Sequence, residues 1–150
     1  PMRRLLLLLL LALPAPAWAT YTIGAHTSIG SPDGNAITTS AIDTTGAKIV
    51  LYQIVADSAC SVGPSDNKGN NWTLVSSQSG SANVKVRLYM AQGSSLAVGG
   101  SHTFTTGSQL CYFSLFVLAL NSTSSTVLNP TDQNIGSAST GTTISAGSKP

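Results

Sequence analysis

The sequence contains no glutamate, and charged residues make up only 8% of its 150 residues. Glycoside hydrolysis needs two carboxylates flanking the scissile bond, and here only aspartates could supply them. They are Asp33, Asp43, Asp57, Asp66 and Asp132. Three of them stand in or beside turn sequences, where an aspartate ordinarily stabilises the turn. The absence of Glu also disfavours helices, which use this residue heavily.

Histidine is nearly as scarce, with only His26 and His102 in the chain. Two isolated histidines do not make a zinc site, which takes at least three protein ligands. A serine hydrolase would carry a Gly-x-Ser-x-Gly elbow, and the closest string, residues 63–67, lacks the final glycine. The sequence therefore predicts a protein that is not an enzyme and that uses no cofactor.

The first nineteen residues have the order of a secretory signal peptide. Arg3 and Arg4 form a basic start, a leucine run follows, and Ala17-Trp18-Ala19 fits the cleavage pattern. The apolar run is shorter than the about 20 residues that span a bilayer, although a short membrane anchor is the alternative. We therefore predict cleavage after Ala19 and export to the periplasm, the cell surface or the medium, without membrane contact after cleavage.

Removal of this segment leaves little net charge. Two of the 7 Lys and Arg residues are Arg3 and Arg4, so the remaining basic residues equal the 5 aspartates in number. A neutral chain offers no positive patch for phosphates, which argues against a nucleic acid partner. Net charge near zero also gives little protection against self-association.

Two cysteines, Cys60 and Cys111, remain in the chain. An even number of cysteines in an exported chain predicts one disulfide bond. Cys60 follows an apolar run and Cys111 begins another, so both could lie at the ends of neighbouring strands. A bond that closes about 50 residues stabilises the fold by about 4 kcal/mol in the chain-entropy model. Two buried free thiols are the alternative.

Alternation of apolar and polar residues predicts a strand at residues 82–91. One face would carry Val84, Val86, Leu88 and Met90, and the other face would carry Asn83, Lys85, Arg87 and Tyr89. The nearly continuous apolar runs at residues 49–56 and 111–120 predict central strands, or strands whose outer face meets another layer. Shorter candidates are residues 21–23, 36–42, 72–77 and 102–105.

Turn sequences rich in Gly, Asn, Asp and Ser separate these strands. We therefore predict an all-β fold, an antiparallel β-sandwich of jelly-roll or Ig-like type, over residues 20–120. Two sheets would pack their apolar faces together, and their Ser/Thr-rich faces would meet water. Residues 121–150 are mostly Ser, Thr, Gly and Asn, which predicts a linker or the start of further, truncated strands.

The turn at residues 66–70 carries the candidate metal ligands. Asp66, Asn67 and Asn70 could offer oxygens to calcium from one tight loop. A calcium site takes six or more oxygens, and this loop lacks the EF-hand pattern. A turn stabilised by its own Asp and Asn side chains is therefore the favoured interpretation.

Sugar recognition is a second hypothesis. Trp72, the tryptophan that remains after removal of the signal segment, could stack on a sugar ring, with Tyr89 as a further aromatic and Asn70 as a polar contact. A single tryptophan at the start of a strand is more often part of the core. The exposure of Trp72 distinguishes the two interpretations.

Several strings in this order resemble a known group of domains. They are Ala41-Ile42-Asp43-Thr44-Thr45-Gly46-Ala47, Asp66-Asn67-Lys68-Gly69-Asn70-Asn71-Trp72-Thr73, Val86-Arg87-Leu88-Tyr89 and His102-Thr103-Phe104. Over about residues 20–145 the chain resembles uncharacterised jelly-roll-like β-sandwich domains of bacterial surface and phage structural proteins. The resemblance implies a display or attachment role, with residues 66–72 as a structural turn. Such proteins often continue with further strands beyond this region.

The sequence thus favours an exported, non-catalytic structural or adhesive surface module. The alternative is a carbohydrate-binding module with Trp72 as its stacking platform, and a hydrolase accessory domain ranks third. The expected partner is a surface glycan or a protein, including further copies of the chain that pair through edge strands.

Overall fold

The computed structural model describes residues 20–31, 35–80, 83–107 and 111–123. The predicted signal segment, residues 1–19, lies outside the described residues, as do Asp33, Asp132 and residues 124–150 of the predicted Ser/Thr/Gly-rich segment. The described part of the chain is all-β, and no helix there is long and apolar enough to cross a membrane.

The described residues form seven strands. In chain order they are β1 (Tyr21–Ser31), β2 (Ala47–Asp57), β3 (Pro64–Asp66), β4 (Thr73–Ser79), β5 (Val84–Gln92), β6 (Phe104–Thr106) and β7 (Phe113–Ser122). The sequence patterns located β2, β4, β5, β6 and β7, whereas β1 is longer than predicted and β3 was not predicted. Residues 36–42 form only isolated bridges, at Thr38 and Ile42.

Two antiparallel sheets result. The large sheet has the order β1-β7-β2-β5-β4, and β3 pairs with β6 in a small sheet. The bridges of Thr38 with Thr105 and of Ile42 with His102 add the segment before β2 to the other edge of β6. The two continuously apolar strands, β2 and β7, are interior strands of the large sheet, as predicted.

One face of the large sheet, here called the inner face, packs against the small sheet. On β2 it carries Val50, Tyr52 and Ile54, each with no exposed surface. Tyr52 links the two sheets, because its hydroxyl donates to the Thr105 carbonyl at 2.9 Å and its ring lies 6.4 Å from that of Phe104. Burial raises the pKa of this hydroxyl, which stays protonated and remains a donor.

The apolar side chains of β5 were expected to face the core, and this prediction is wrong. Tyr89 lies opposite Tyr52 and Arg87 lies opposite Ile54, so these side chains are on the inner face. Val86 and Leu88 consequently lie on the opposite face of the large sheet, here called the outer face. The inner face accepts Arg87 because its guanidinium donates to carbonyls in the segment after β2, those of Cys60 and Val62. Backbone acceptors therefore stabilise a charge that a purely apolar face would exclude.

The disulfide bond between Cys60 and Cys111 is confirmed, with a Cα–Cα distance of 6.1 Å. Cys60 follows β2 and Cys111 precedes β7, and these strands pair directly, with Ala56 opposite Phe113. The bond therefore joins neighbouring strands at the same end of the sheet. A disulfide is compatible with an oxidising, exported environment.

Candidate functional site

The densest polar cluster forms around residues 66–72, here called the Asp66 turn. The Asp66 side chain is fully buried. Its Oδ1 accepts from the backbone N–H of Lys68 at 2.7 Å, and its Oδ2 accepts from the indole N–H of Trp72 at 3.0 Å. Gly69 has a positive φ of 74°, which permits the tight reversal between these contacts. Hydrogen-bond donors of the turn thus take the place of water around the carboxylate with which the turn begins.

Two asparagines of the Asp66 turn hold the loop that leads to β6. The Asn70 side chain accepts from the Ala97 N–H at 2.7 Å and donates to the Ala97 carbonyl at 2.9 Å. The Asn67 side chain accepts from the Thr103 N–H at 3.0 Å and donates to the Ser101 carbonyl at 2.8 Å. Each side-chain amide therefore forms hydrogen bonds with backbone groups that lie outside the strands.

His102 extends this network into the core. It has no exposed surface, and its ring stacks on Phe104 with a centroid distance of 4.2 Å. Its Nδ1 lies 2.9 Å from the Thr44 hydroxyl, and its Nε2 lies 3.3 Å from Oδ1 of Asp66. The second contact is too poorly directed for a full hydrogen bond and acts mainly as an electrostatic contact. We assign the Thr44 hydroxyl as donor to Nδ1, which places the ring proton on Nε2, facing Asp66.

Asp66, His102 and Thr44 are the residue types of a nucleophilic triad, but their environment is that of a core. Thr44 is 1% exposed, and its hydroxyl oxygen also accepts from the Gly99 N–H at 3.1 Å. A nucleophile must reach its substrate and must be free of such competing contacts. The arrangement can therefore fasten three segments of chain together, but it cannot attack an external molecule.

The structure also shows how the predicted calcium ligands are used. Oxygens of Asp66, Asn67 and Asn70 accept hydrogen bonds from donors of this chain. A calcium ion would have to replace these donors and find further oxygens. The geometry favours the structural turn that the sequence also favoured.

The aromatic residues proposed for sugar binding pack against the core. Trp72 is half-buried, with its ring centroid 5.2 Å from that of Tyr52 and 6.3 Å from that of Phe104. Tyr89 makes an edge contact with Tyr52 at 6.4 Å. A stacking platform presents a free ring face, and these edge-to-face contacts instead favour the structural interpretation of Trp72. Carbohydrate binding remains a prediction.

The outer face of the large sheet is apolar, as the continuous apolar runs of β2 and β7 indicated for those two strands, but sequence reasoning did not predict that β5 would add to it. Its interior strands carry apolar side chains there: Leu51, Val55, Val86, Leu88, Phe116, Leu118 and Leu120. Phe116 is 46% exposed at the centre of this face, opposite Gln53. Phe116 lines a groove of about 250 Å³ together with Leu51, Gln53 and Leu88. Alternation in β5 signalled an apolar face, but not which side of the sheet it would occupy.

The protonation of His102 predicts how stability depends on pH. Burial lowers the pKa of His102 below its ordinary value of 6.5, although Asp66 opposes this shift. The unfolded chain then binds a proton at a higher pH than the folded chain does. The free energy of unfolding should therefore fall as the pH decreases through 6.5 towards the lower, folded-state pKa.

Urea unfolding at several pH values measures this slope. The His102→Gln variant, which does not titrate there, should lose stability less steeply than the wild type. The matched control is His26→Gln, the same substitution at a histidine that is exposed on β1. An unchanged slope in His102→Gln would contradict the prediction.

No family model matches this chain, and no curated protein or solved structure matches it significantly. The resemblance to jelly-roll-like surface and phage domains accordingly stays a prediction.

Proposed function

We propose that this chain is an exported, non-catalytic structural or adhesive module, built as a jelly-roll or Ig-like sandwich, that acts by contacting other protein chains. Its densest cluster of polar side chains is centred on the buried Asp66 carboxylate and holds loops in place. The disulfide between Cys60 and Cys111 suits a protein that functions outside the reducing cytoplasm.

The observation that carries this proposal is the edge strand β1. It runs over 11 residues, Tyr21–Ser31, about twice the usual strand length, and contains neither a proline nor a Lys, Arg or Asp. Among the described residues, β7 is its only strand partner. Soluble proteins usually blunt such edges with charges, prolines, bulges or short strands, because a long edge is a template for another strand. β1 carries one bulge, between Ile23 and Ala25, and from Ala25 to Ser31 it pairs with β7 without interruption. A long and uncharged edge is suited to strand addition.

The test is assembly of the exported protein with and without a charge on this edge. Thr27 is half-buried in the middle of β1, opposite Val117 on the inner face. The Thr27→Lys variant places an inward-pointing charge on the edge, a device that discourages strand pairing. The control is Ser40→Lys, which adds the same charge at an exposed position outside the strands.

Sedimentation velocity and electron microscopy of the exported protein should show larger species for the wild type and for Ser40→Lys than for Thr27→Lys. Thr27→Lys should abolish these species without a large loss of melting temperature. A wild-type protein whose assemblies are no larger than those of Thr27→Lys would contradict the proposed function.

A further inference from the structure

We propose that the outer face of the large sheet is the interface of a symmetric dimer, in which Phe116 of each copy inserts into the groove of the other. This inference deepens the proposed function and rests on it, since it names a second copy of this chain as one protein partner. It concerns the sheet face, whereas the proposed assembly above uses the β1 edge.

The composition of the outer face is that of an interface. The interior strands contribute apolar side chains at its centre, including Leu51, Leu88 and Leu118. The edge strands contribute polar ones, including Ser28 of β1 and Ser76 of β4. An apolar centre with a polar rim is the usual anatomy of a protein–protein contact.

Ionisable residues lie at the margins of this face, Asp57 at the end of β2 and His26 on the edge strand β1, opposite Leu118. Asp57 is the last residue of β2, and the other residues on the outer side of β2 are Ile49, Leu51, Gln53 and Val55. A charge-free centre can be desolvated against an identical surface, because no like charges are brought together across the two-fold axis.

The outer face is also complementary to itself. A two-fold interface requires that one surface carry both the projecting group and its receptor. Phe116 has 46% of its surface exposed and itself forms one side of a groove of about 250 Å³, so a partner's ring that enters this groove would pack beside it. A cavity of about 150 Å³ already accepts benzene, so this groove can receive a phenyl ring. This self-complementarity is the reason to assign a second copy rather than an unrelated protein.

The size of the face agrees with a stable dimer. Five strands about 4.8 Å apart and about nine residues long, at about 3.4 Å per residue, cover roughly 700 Å². A standard specific interface buries about 800 Å² on each partner.

The mass of the full-length exported protein, measured by sedimentation equilibrium, tests this interface. Phe116→Lys should weaken dimerisation at least about tenfold, as loss of a central interface residue does. Gln53→Glu is nearly isosteric and places a carboxylate on the groove floor, and it should have the same effect. The control is Leu74→Lys, which adds the same charge at an apolar residue of β4 that is 50% exposed and lies opposite Tyr89, on the inner side of the sheet. Each variant is also made with Thr27→Lys, so that pairing through the β1 edge does not obscure the mass.

The expected result is a dimer for Thr27→Lys alone and with Leu74→Lys, and a monomer when either outer-face variant is added. Melting curves check that each variant is folded, and Gln53→Glu serves if Phe116→Lys does not fold. A monomer for Thr27→Lys alone would overturn the dimer while leaving edge assembly by the wild type intact. A dimer that persists in both face variants would place the interface elsewhere and would equally overturn the proposal.

Discussion

Replacement of Asp66 by alanine is expected to lower the free energy of unfolding by about 3 to 5 kcal/mol. The carboxylate is fully buried and accepts from the backbone N–H of Lys68 and the indole N–H of Trp72. Its loss leaves these donors without an acceptor, and each buried unsatisfied donor costs about 1 to 3 kcal/mol. His102 also loses its electrostatic partner.

Urea unfolding measures this effect, with Asp57→Ala as the matched control. Asp57 is exposed and also accepts a backbone N–H two residues ahead, that of Ala59 at 3.1 Å. Its replacement should cost about 0.5 kcal/mol or less, because water can satisfy the released donor. Equal losses in the two variants would show that the buried network adds nothing beyond an ordinary turn.

Removal of the disulfide is expected to cost about 4 kcal/mol, because Cys60 and Cys111 are 51 residues apart and their bond restricts a long loop of the unfolded chain. Cys60 is 1% exposed, so its replacement is kept small, by alanine. The two single variants and the double variant should lose nearly the same free energy, since either substitution breaks the same bond. Urea unfolding with and without a reducing agent checks this.

Reduction should destabilise the wild type but leave the double variant unchanged. Additive losses from Cys60→Ala and Cys111→Ala would contradict the prediction, because they would mean that each cysteine stabilises the fold through separate contacts.

The two surfaces proposed for assembly would use different kinds of interaction. Strand addition at β1 uses backbone groups and depends on an edge without charges. Dimerisation through the outer face uses side chains such as Phe116 and Leu88 and depends on apolar complementarity. One copy could therefore engage a face partner and an edge partner together, as a structural module that builds larger assemblies requires.

Local patterns located most strands and the disulfide. The apolar runs of β2 and β7 and the alternation in β5 depend only on neighbouring residues, so they are readable along the chain. The positions of Cys60 and Cys111 beside two apolar runs indicated that they could lie at the ends of neighbouring strands, and the structure decided for the disulfide over two free thiols. Strand β3 was not predicted because its three residues, Pro64–Asp66, are too few to show a period.

The Asp66 network was only partly predictable. The turn itself was recognisable, because Asp, Asn and Gly within a few residues specify a reversal. The roles of Thr44 and His102 were not, since they lie 58 residues apart and no local pattern joins them. Two interpretations of Trp72, as a core residue or as a stacking surface for sugars, stayed open until its contacts with Tyr52 and Phe104 were known.

By itself, the sequence determined the fold class, the two central strands, the turn at Asp66 and the cysteine pair, because each depends on residue type and short-range spacing. Only the tertiary structure decided which side of the sheet each strand presents to the core. Alternation along a strand has a period of two, so it divides residues between two faces without saying which face is buried. Pairing with Ile54 and Tyr52 turned Arg87 and Tyr89 inward and left Val86 and Leu88 on the face where Phe116 projects.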